Sequence, residues 1–422
     1  MDIEIGYKLP VKKDMKNGEI YQKAEILGIR KTRTGKEYYV HYTDFNKRLD
    51  EWVDESCLKI DNIEEIEIPK KKKKSVIERK VITKRKSIVT NKSLIQEITP
   101  NKVYEDERTT VALKKTPFRK DLSPNLKDSE INEEILDKNQ SLATDESNKV
   151  KNVRKIRIGN YTVDAWYFSP YPEKIATSEI IYICQYCLFY FATQKQYEIH
   201  TKKCDLKHPP GNEIYRNQDI SFFEIDGYSH KNYCRNLCLL SKLFLDHKTL
   251  YFDVDPFMFY ILCRYENGYK IVGYFSKEKD SLQGYNLACL LTLPHEQKKG
   301  YGKVLIDFSY LLSKKENAIA SPEKPLSDLG LLSYRSYWSE VIIEIIQNKK
   351  KTSISEISKL TSITEDDILS TLVAYGIIKF YHGYPIFIIK GEIFEKMIKG
   401  KKTRVNEHFL KWEGPVKERL KM

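Results

Sequence analysis

A chain of 422 residues is too long for one ordinary hydrophobic core, so two or three domains are expected. Its net charge of +13 and isoelectric point near 9.0 favour polyanionic partners such as nucleic acid or chromatin. Eight cysteines, half of them isolated in apolar runs such as "ILCRY" and "LACLL", argue against a disulfide framework. No run approaches the roughly 20 apolar residues that span a bilayer, and "MDIEIGYKLP" lacks a signal-peptide layout. The expectation is a soluble, intracellular protein with reduced thiols and a possible metal.

Residues 1–68 carry short runs rich in aromatic and β-branched residues, "YQKAEILGI", "KEYYVHY" and "LDEWV", with the turn pairs Asn17-Gly18 and Thr34-Gly35 between them. The pattern predicts a small β-barrel. Residues 69–150 are rich in Lys, Ser, Asn and Glu with no sustained apolar period, and predict a flexible linker that turns from basic to acidic. Its start, "PKKKKKSVIERKVITKRK", has five consecutive lysines and the composition of a nuclear-import signal or a nucleic-acid-binding tail. The plainer alternative is a solvated run.

From residue 151 onward, strand-like runs ("IIYIC", "TLYFDV", "FMFYILCRY", "KIVGYFS", "NLACLLTLP") alternate with helix-like ones ("GKVLIDFSYLLSKKE"), an α/β pattern. Over about 340–392, two short helical periods separated by "TSIT" and followed by a Gly-containing hairpin predict a helix-turn-helix with a wing. The second helix opens on "TEDDI", whose carboxylates would repel phosphate. Support of the core is therefore favoured over reading of DNA.

Two motifs carry chemistry. Cys184-Gln-Tyr-Cys187, twelve residues, His200, three residues, Cys204 is a zinc layout within a finger at about 180–206. The paired thiolates form a knuckle at a hairpin end, and His200 and Cys204 at i, i+4 share one helix face. All four tetrahedral positions are filled, so the metal is structural. The second motif is "QKKGYGK" at 297–303, after the apolar run that ends at Pro294. Its spacing matches neither a P-loop nor a dinucleotide fingerprint. Glycines that let the backbone come close, followed by a helix start near Gly302 with free N–H groups, suit a pyrophosphate. A tight strand-to-helix turn would also want glycine.

The run from "SFFEIDG" through "YCRNLCLLSKLFLDHKTLYFDVDPFMFY", "VGYFSKEK", "GYN", "LTLP", "GYGK" and "SPEKPLSDLGLLSYRSYW" closely resembles the catalytic domain of the MYST histone acetyltransferases, over roughly residues 151–415 and including the zinc motif. The stretch "VHYTDFNKRLDEWV" looks like the chromo barrel of one subgroup, the catalytic subunits of complexes that acetylate nucleosomal histones four and two-A. The resemblance implies a chromo barrel at 1–68 and an acetyltransferase domain at 151–420. It also implies an α/β acetyl-CoA N-acyltransferase core with a zinc finger and a C-terminal winged-helix-like segment. The implied role is nuclear, in transcription regulation and DNA repair, within a multiprotein complex.

By the same resemblance the pyrophosphate belongs to acetyl-CoA, cradled by Gln297, Lys298, Lys299, Gly300, Tyr301, Gly302 and Lys303. The backbone of Leu290, Leu291 and Thr292 lies along the acetyl and pantetheine arm, and Ser327 and Ser336 contact the cofactor. A lysine amine with a pKa of about 10.4 is protonated at neutral pH and cannot attack a thioester, so a base is needed. The resemblance assigns that base to Glu323, in "SPEKPLSD". It leaves open whether Cys289 forms a transient acetyl-enzyme or only lines the pocket, and direct transfer is favoured. Lys248 matches an autoacetylated lysine. A departure is "DGYSHKNYC", where Tyr228, Ser229, His230 and Tyr233 replace a more basic pattern with a tryptophan.

In the barrel, Tyr39, Tyr42, Phe45 and Trp52 either build a cage for methyl-lysine or fill the core. Lysine-rich flanks also suit an RNA or DNA backbone, so reader, nucleic-acid binder and scaffold all stand. The rival to the enzyme is a chromatin-binding adaptor that keeps the fold without the reaction. Zinc-dependent deamination would need an open metal position and a Glu beside the ligands, and neither motif is present.

Overall fold

The computed structural model describes residues 3–15, 18–32, 35–60, 66–68, 150–248, 252–349, 352–381, 384–387, 404–412 and 414. The segment 69–149, with the import-signal or nucleic-acid-tail reading placed on it, lies outside the described residues, as do Asn17 and Thr34 of the predicted turns. Among the described residues, no helix is long and apolar enough to cross a membrane.

The N-terminal strands β1 (Lys8–Met15), β2 (Gly18–Lys31), β3 (Lys36–Tyr42) and β4 (Glu51–Asp54) form an antiparallel meander in chain order. Bridges from Leu58 to Val11 and from Glu67 to Lys8 fold the following chain back over β1. The period-2 alternation decides the core. Tyr38, Val40 and Tyr42 of β3 point inward with Leu9, Val11, Ala24 and Ile26, all fully buried. Tyr39, between them, points to the other face and pairs across the ladder with Trp52.

A four-stranded sheet follows, in the order β6 (Tyr161–Asp164), β5 (Lys155–Ile158), β7 (Ile180–Ile183), β8 (Tyr190–Phe191). The short helix α1 (Glu173–Ala176) precedes β7, and α2 (Gln194–Lys203), capped by Thr193, follows β8. The barrel touches this region where the Arg48 guanidinium lies 5.2 Å over the Trp166 ring.

The central sheet is antiparallel, in the order β14 (Leu290–Thr292), β12 (Tyr269–Glu278), β11 (Phe257–Tyr265), β10 (Ile220–Asp226), β9 (Asn212–Asn217). Its strands read as continuous apolar runs because both faces are covered. On one face, Phe223, Ile225, Phe259, Ile261, Tyr274 and Leu291 pack with Leu237, Cys238 and Leu240 of α3 (Lys231–Lys242). On the other, Phe222, Tyr260, Leu262 and Phe275 meet Val304, Leu305 and Phe308 of α4 (Tyr301–Lys315), with Phe222 and Phe308 stacked at 3.7 Å. Each such large side chain contributes about 1.5–3 kcal/mol relative to exposure.

Beyond α4, the helices α5 (Asp328–Asn348), α6 (Ile354–Thr361) and α7 (Glu365–Ala374) precede the hairpin β16 (Ile378–Tyr381) and β17 (Tyr384–Phe387). Trp338, Ile342, Ile357, Ile363, Ile368 and Leu372 bury themselves against Ile306 and Tyr310 of α4. The helix-turn-helix-like segment thus packs on the core, in line with a supporting role. Residues 404–412 strap back over the domain, with the Val405 amide donating to Asp307 at 2.7 Å and the Trp412 indole to Glu224 at 2.8 Å.

Two runs differ from their sequence reading. "NLACLLTLP" is two strands, not one: β13 (Tyr285–Leu287) pairs in parallel with β15 (Ser321–Pro322), while β14 stays on the edge of the central sheet. "TLYFDV" is irregular where it is described, because the Phe257 amide turns back to the Val254 carbonyl at 3.1 Å.

Gly273 of β12 allows β14 to lie close: a Cβ there would sit 2.5 Å from the Leu291 carbonyl oxygen and 3.1 Å from Thr292 Cα. Those atoms are backbone and cannot rotate away. Gly273→Ala is therefore expected to cost about 1–3 kcal/mol, the usual scale of overpacking, as a lowered urea midpoint with an unchanged m-value. Wild-type stability would show that β14 shifts freely.

Candidate active site and metal centre

The sheet β7–β8 and helix α2 bring four ligands together. Atoms of Cys184, Cys187, His200 and Cys204 all lie within 4.8 Å of one another, with Cys187 Sγ 3.2 Å from His200 Nε2 and the Cys184 and Cys204 sulfurs 4.0 Å apart. These separations suit four donors on one tetrahedral ion with Zn–S near 2.3 Å and Zn–N near 2.0–2.1 Å. The Cys184 thiol is lowered to about 5, chiefly by its hydrogen bond with Cys187, and the same bond pushes the Cys187 thiol up. A metal ion would displace the protons of all three thiols, because a ligating cysteine is deprotonated.

The second cluster forms where the central sheet opens. Between β13 and β14 the chain bulges at Ala288 and Cys289, and Ser276 of β12 holds the bulge. The Ala288 amide donates to the Ser276 carbonyl at 2.7 Å, the Ser276 amide to the Cys289 carbonyl at 2.9 Å, and the Cys289 amide to Ser276 Oγ at 3.2 Å. The bulge aims the Cys289 thiol at Lys248, whose Nζ lies 3.5 Å away.

Lys248 is buried. Burial opposes its ammonium, while Tyr274, Cys238 and Cys289 pull its proton affinity well above the ordinary lysine value through the attraction of their ionised forms. Burial also pushes Tyr274 and Cys238 upward, so both are protonated at neutral pH. Towards Tyr274 and Cys238 the charge on Lys248 then faces dipoles rather than anions, and it carries a desolvation cost.

Beyond β14, Lys298 at φ 63° and Gly300 at φ 91° turn the chain into α4, which begins at Tyr301, one residue before the predicted start. The side chain of Gln297 donates back to the Thr292 carbonyl at 3.0 Å and ties the loop to the strand end. Among the described residues, the amides of Lys298, Lys299, Gly300, Tyr301 and Gly302 donate to no protein acceptor. Five consecutive N–H groups at a helix N-terminus form an anion cradle. The loop lysines are less available than the sequence suggests. Lys299 pairs with the buried Glu296 at 2.8 Å, and Lys303 pairs with Glu340. Lys298 is exposed and makes no ion pair among the described residues.

Glu323 follows β15, its amide donating to the Leu287 carbonyl at 2.8 Å, so it stands beside the end of β13 just before the bulge. Desolvation, and then the like charge of Glu278, push its carboxyl above the ordinary range, and Lys248 opposes them. Ser327 caps α5, accepting from the Gly330 amide at 3.1 Å, which is the plainer role for its hydroxyl. Ser336 is half-buried on α5, one turn before the Glu340 that holds Lys303. Ser276, Glu278 and Glu296 were not singled out in the sequence, because each acts through a partner on another strand or loop.

The four aromatic residues of the barrel do not form one cage. Tyr42 is core, with the Lys13 ammonium 3.6 Å over its ring and Phe45 edge-on at 6.2 Å. On the other face, Tyr39 and Trp52 lie 5.3 Å apart under the Arg30 guanidinium, which is 4.2 Å from the Trp52 ring. Val150 packs over Gly28 beside them, and the Lys151 backbone hydrogen-bonds Tyr39. Both aromatic pairs already face a cation of the barrel itself.

Residues 208–413 match the MOZ/SAS family, residues 150–204 the MYST family zinc finger domain, and residues 3–60 the RNA binding activity-knot of a chromodomain. The chain is 44% identical over 431 residues to histone acetyltransferase ESA1 of Yarrowia lipolytica, covering 98% of this chain and 90% of that protein. It is 45% identical over 430 residues to histone acetyltransferase mst1 of Schizosaccharomyces pombe, covering 95% and 91%. With histone acetyltransferase ESA1 of Saccharomyces cerevisiae it shares 46% over 410 residues, covering 93% and 89%.

Two outcomes follow from this geometry. Cys187→Ser leaves three ligands, so zinc content measured by atomic emission should fall towards zero together with soluble yield, because the metal supplies folding energy. A folded, zinc-free variant would show that the site is not structural. Gly302 tests the cradle more cleanly than Gly300, whose positive φ would strain any other residue. A Cβ on Gly302 meets only Thr292 Oγ1, at 3.7 Å, so Gly302→Glu should fold and place a carboxylate among the free amides. Calorimetry should then find acetyl-CoA binding lost, and unchanged affinity would move the pyrophosphate elsewhere.

Proposed function

The chain belongs to the MOZ/SAS family, the MYST acetyltransferases, and from that premise we propose that it transfers the acetyl group of acetyl-CoA to lysine side chains of nucleosomal histones, with Glu323 as the base. The observation that carries this reading is the convergence of two elements released by one bulge. The free amides of Lys298 to Gly302 open at the end of β14, and the Glu323 loop is bonded to the end of β13.

When bound, acetyl-CoA supplies the thioester to be attacked. The amides of residues 298–302 and Lys298 hold its pyrophosphate, the β14 backbone from Leu290 to Thr292 runs along its arm, and Ser336 contributes from α5, one turn before the Glu340 that pairs with Lys303. Glu323 accepts the proton of the incoming lysine ammonium, the freed amine attacks the thioester carbonyl, and the C–S bond breaks so that CoA leaves as a thiolate that takes up the proton released by the new amide nitrogen. The raised proton affinity of Glu323 suits it to this work, since a stronger base takes a proton from an amine more readily. Cys289 lines the pocket and is oriented by Ser276, with direct transfer favoured over an acetyl-enzyme.

Autoacetylation of Lys248 fits its burial: a neutral amide removes a charge that carries a desolvation cost. The division of the chain follows the same reading, with a barrel at 1–68, a linker at 69–150 and the acetyltransferase domain at 151–420. Histones four and two-A are the favoured substrates, within the nucleus and within a multisubunit complex. In the barrel, a scaffold role gains support from the internal cations Lys13 and Arg30 over its aromatic pairs, which leave less for a methyl-lysine to bind. Nucleic-acid contact through its basic surface is compatible with that role.

The test is acetylation of nucleosomes read by mass spectrometry. With Glu323→Gln the rate at pH 7 should fall by about 10²–10⁴ while acetyl-CoA affinity holds. The deficit should shrink as pH rises towards the amine's own pKa of about 10.4, where the nucleophile deprotonates without help. Glu278→Gln removes a like charge and so lowers the Glu323 pKa, moving the acid limb of kcat to lower pH. Full activity of Glu323→Gln at pH 7, or a deficit equal at every pH, would remove the base assignment. Absence of acetylation by the wild-type chain would leave the adaptor reading.

A further inference from the structure

Glu323 sits in a loop, and a loop carboxylate must be held if it is to meet a substrate amine in one geometry. Its own flanks are held by a residue of the helix-turn-helix-like segment. Ser321 Oγ donates to Asp367 Oδ2 at 2.6 Å, and Lys324 Nζ donates to Asp367 Oδ1 at 2.7 Å. These two donors lie two residues before Glu323 and one residue after it. Thr364 Oγ1 supplies a third bond to Oδ2 at 2.8 Å, within the turn that caps α7. The Ala320 amide donates to the Ser362 carbonyl at 2.9 Å, and Ala320 forms a parallel bridge with Ile363.

A carboxylate in the first turn of a helix usually serves its own helix end and faces water. Asp367 has a side chain only 4% exposed, and two of its three donors come from a segment more than 40 residues earlier. Burying it is tolerable only because all three bonds are made.

We infer that Asp367 is a positioning residue for Glu323: it clamps Ser321 and Lys324 so that the loop between them presents the Glu323 carboxylate, while the Lys324 ammonium is kept away from that carboxylate. This rests on the reading of Glu323 as the base. It also gives the helix-turn-helix-like segment a task in catalysis rather than in DNA reading. The charged groups that act on Glu323 are Glu278 of β12 and Lys248, which follows α3. Lys324, adjacent in the chain, joins them if Asp367 releases it.

The experiment uses the full chain, with kcat and KM for acetyl-CoA measured across pH for Asp367→Asn beside Glu323→Gln. Asp367→Asn keeps the shape and removes the charge that retains Lys324. kcat should fall by about 10- to 100-fold, the scale of a misplacement near 1 Å, with KM for acetyl-CoA unchanged. The acid limb should also move to lower pH, because a freed Lys324 ammonium favours the Glu323 carboxylate, and Lys324→Met in the Asp367→Asn background should move it back. A merely structural loosening has no such reversal.

Wild-type kcat and an unmoved acid limb in Asp367→Asn, with Glu323→Gln disabled, would overturn the inference and leave the base in place. An active Glu323→Gln would overturn the reading beneath it. If Asp367→Asn does not fold, Ser321→Ala and Lys324→Met, which leave the α7 cap intact, should each lower kcat severalfold at constant KM. Wild-type kcat in both would equally overturn the clamp.

Discussion

The grip of Ser276 on the bulge at Ala288 and Cys289 is the interaction on which the rest of the site depends. A strand that ran unbroken from Tyr285 to Thr292 would pair along one edge and carry its side chains in strict alternation. The three hydrogen bonds at Ser276 break that run and re-aim the chain. The first half then pairs with β15 and leads to Glu323, while the second stays with β12 and leads to the loop at Gly300. Cys289, at the break itself, is turned towards Lys248. One irregularity therefore divides a single apolar run between the carboxylate loop and the anion cradle.

Carboxylates with little exposure then hold loops and the C-terminal strap in place. Glu296 takes Arg264 of β11 and Lys299 of the cradle loop, and Asp367 takes the flanks of Glu323. Asp307 of α4 takes Tyr337, Arg404 and the Val405 amide, and Glu224 of β10 takes Trp412. A carboxylate deprived of water is stable only with its full set of donors. Each of these residues therefore ties a loop or strap to one place, and all of these ties but the local Glu296–Lys299 pair join segments distant in sequence.

The same pairing changes how the positive charge of the chain is used. Lys299 and Lys303 are committed to Glu296 and Glu340, and Lys13 and Arg30 to rings and carboxylates of the barrel. Anion recognition at the cradle falls chiefly to backbone amides and the α4 dipole. These are fixed in direction by the loop backbone and the first turn of α4, and they need no flexible side chain to be ordered when a pyrophosphate arrives.

The sequence alone determined whatever is encoded within about one or two turns or strands. Cys184, Cys187, His200 and Cys204 span only 21 residues, and hairpin and helix spacing brings their donors together. The glycine loop, α4, the long apolar strands and the two short helices after α5 were legible for the same reason, since period and turn chemistry are local properties. The division of "NLACLLTLP", the commitment of Lys303 to Glu340, the internal cations over the barrel aromatics and the clamp of Asp367 on Ser321 and Lys324 were not legible. Each depends on which strand or helix is packed alongside. A hydrogen bond from residue 321 or 324 to residue 367 leaves no periodic trace, because its two ends are set side by side only after the sheet, α4 and the C-terminal helices have buried their apolar faces against one another.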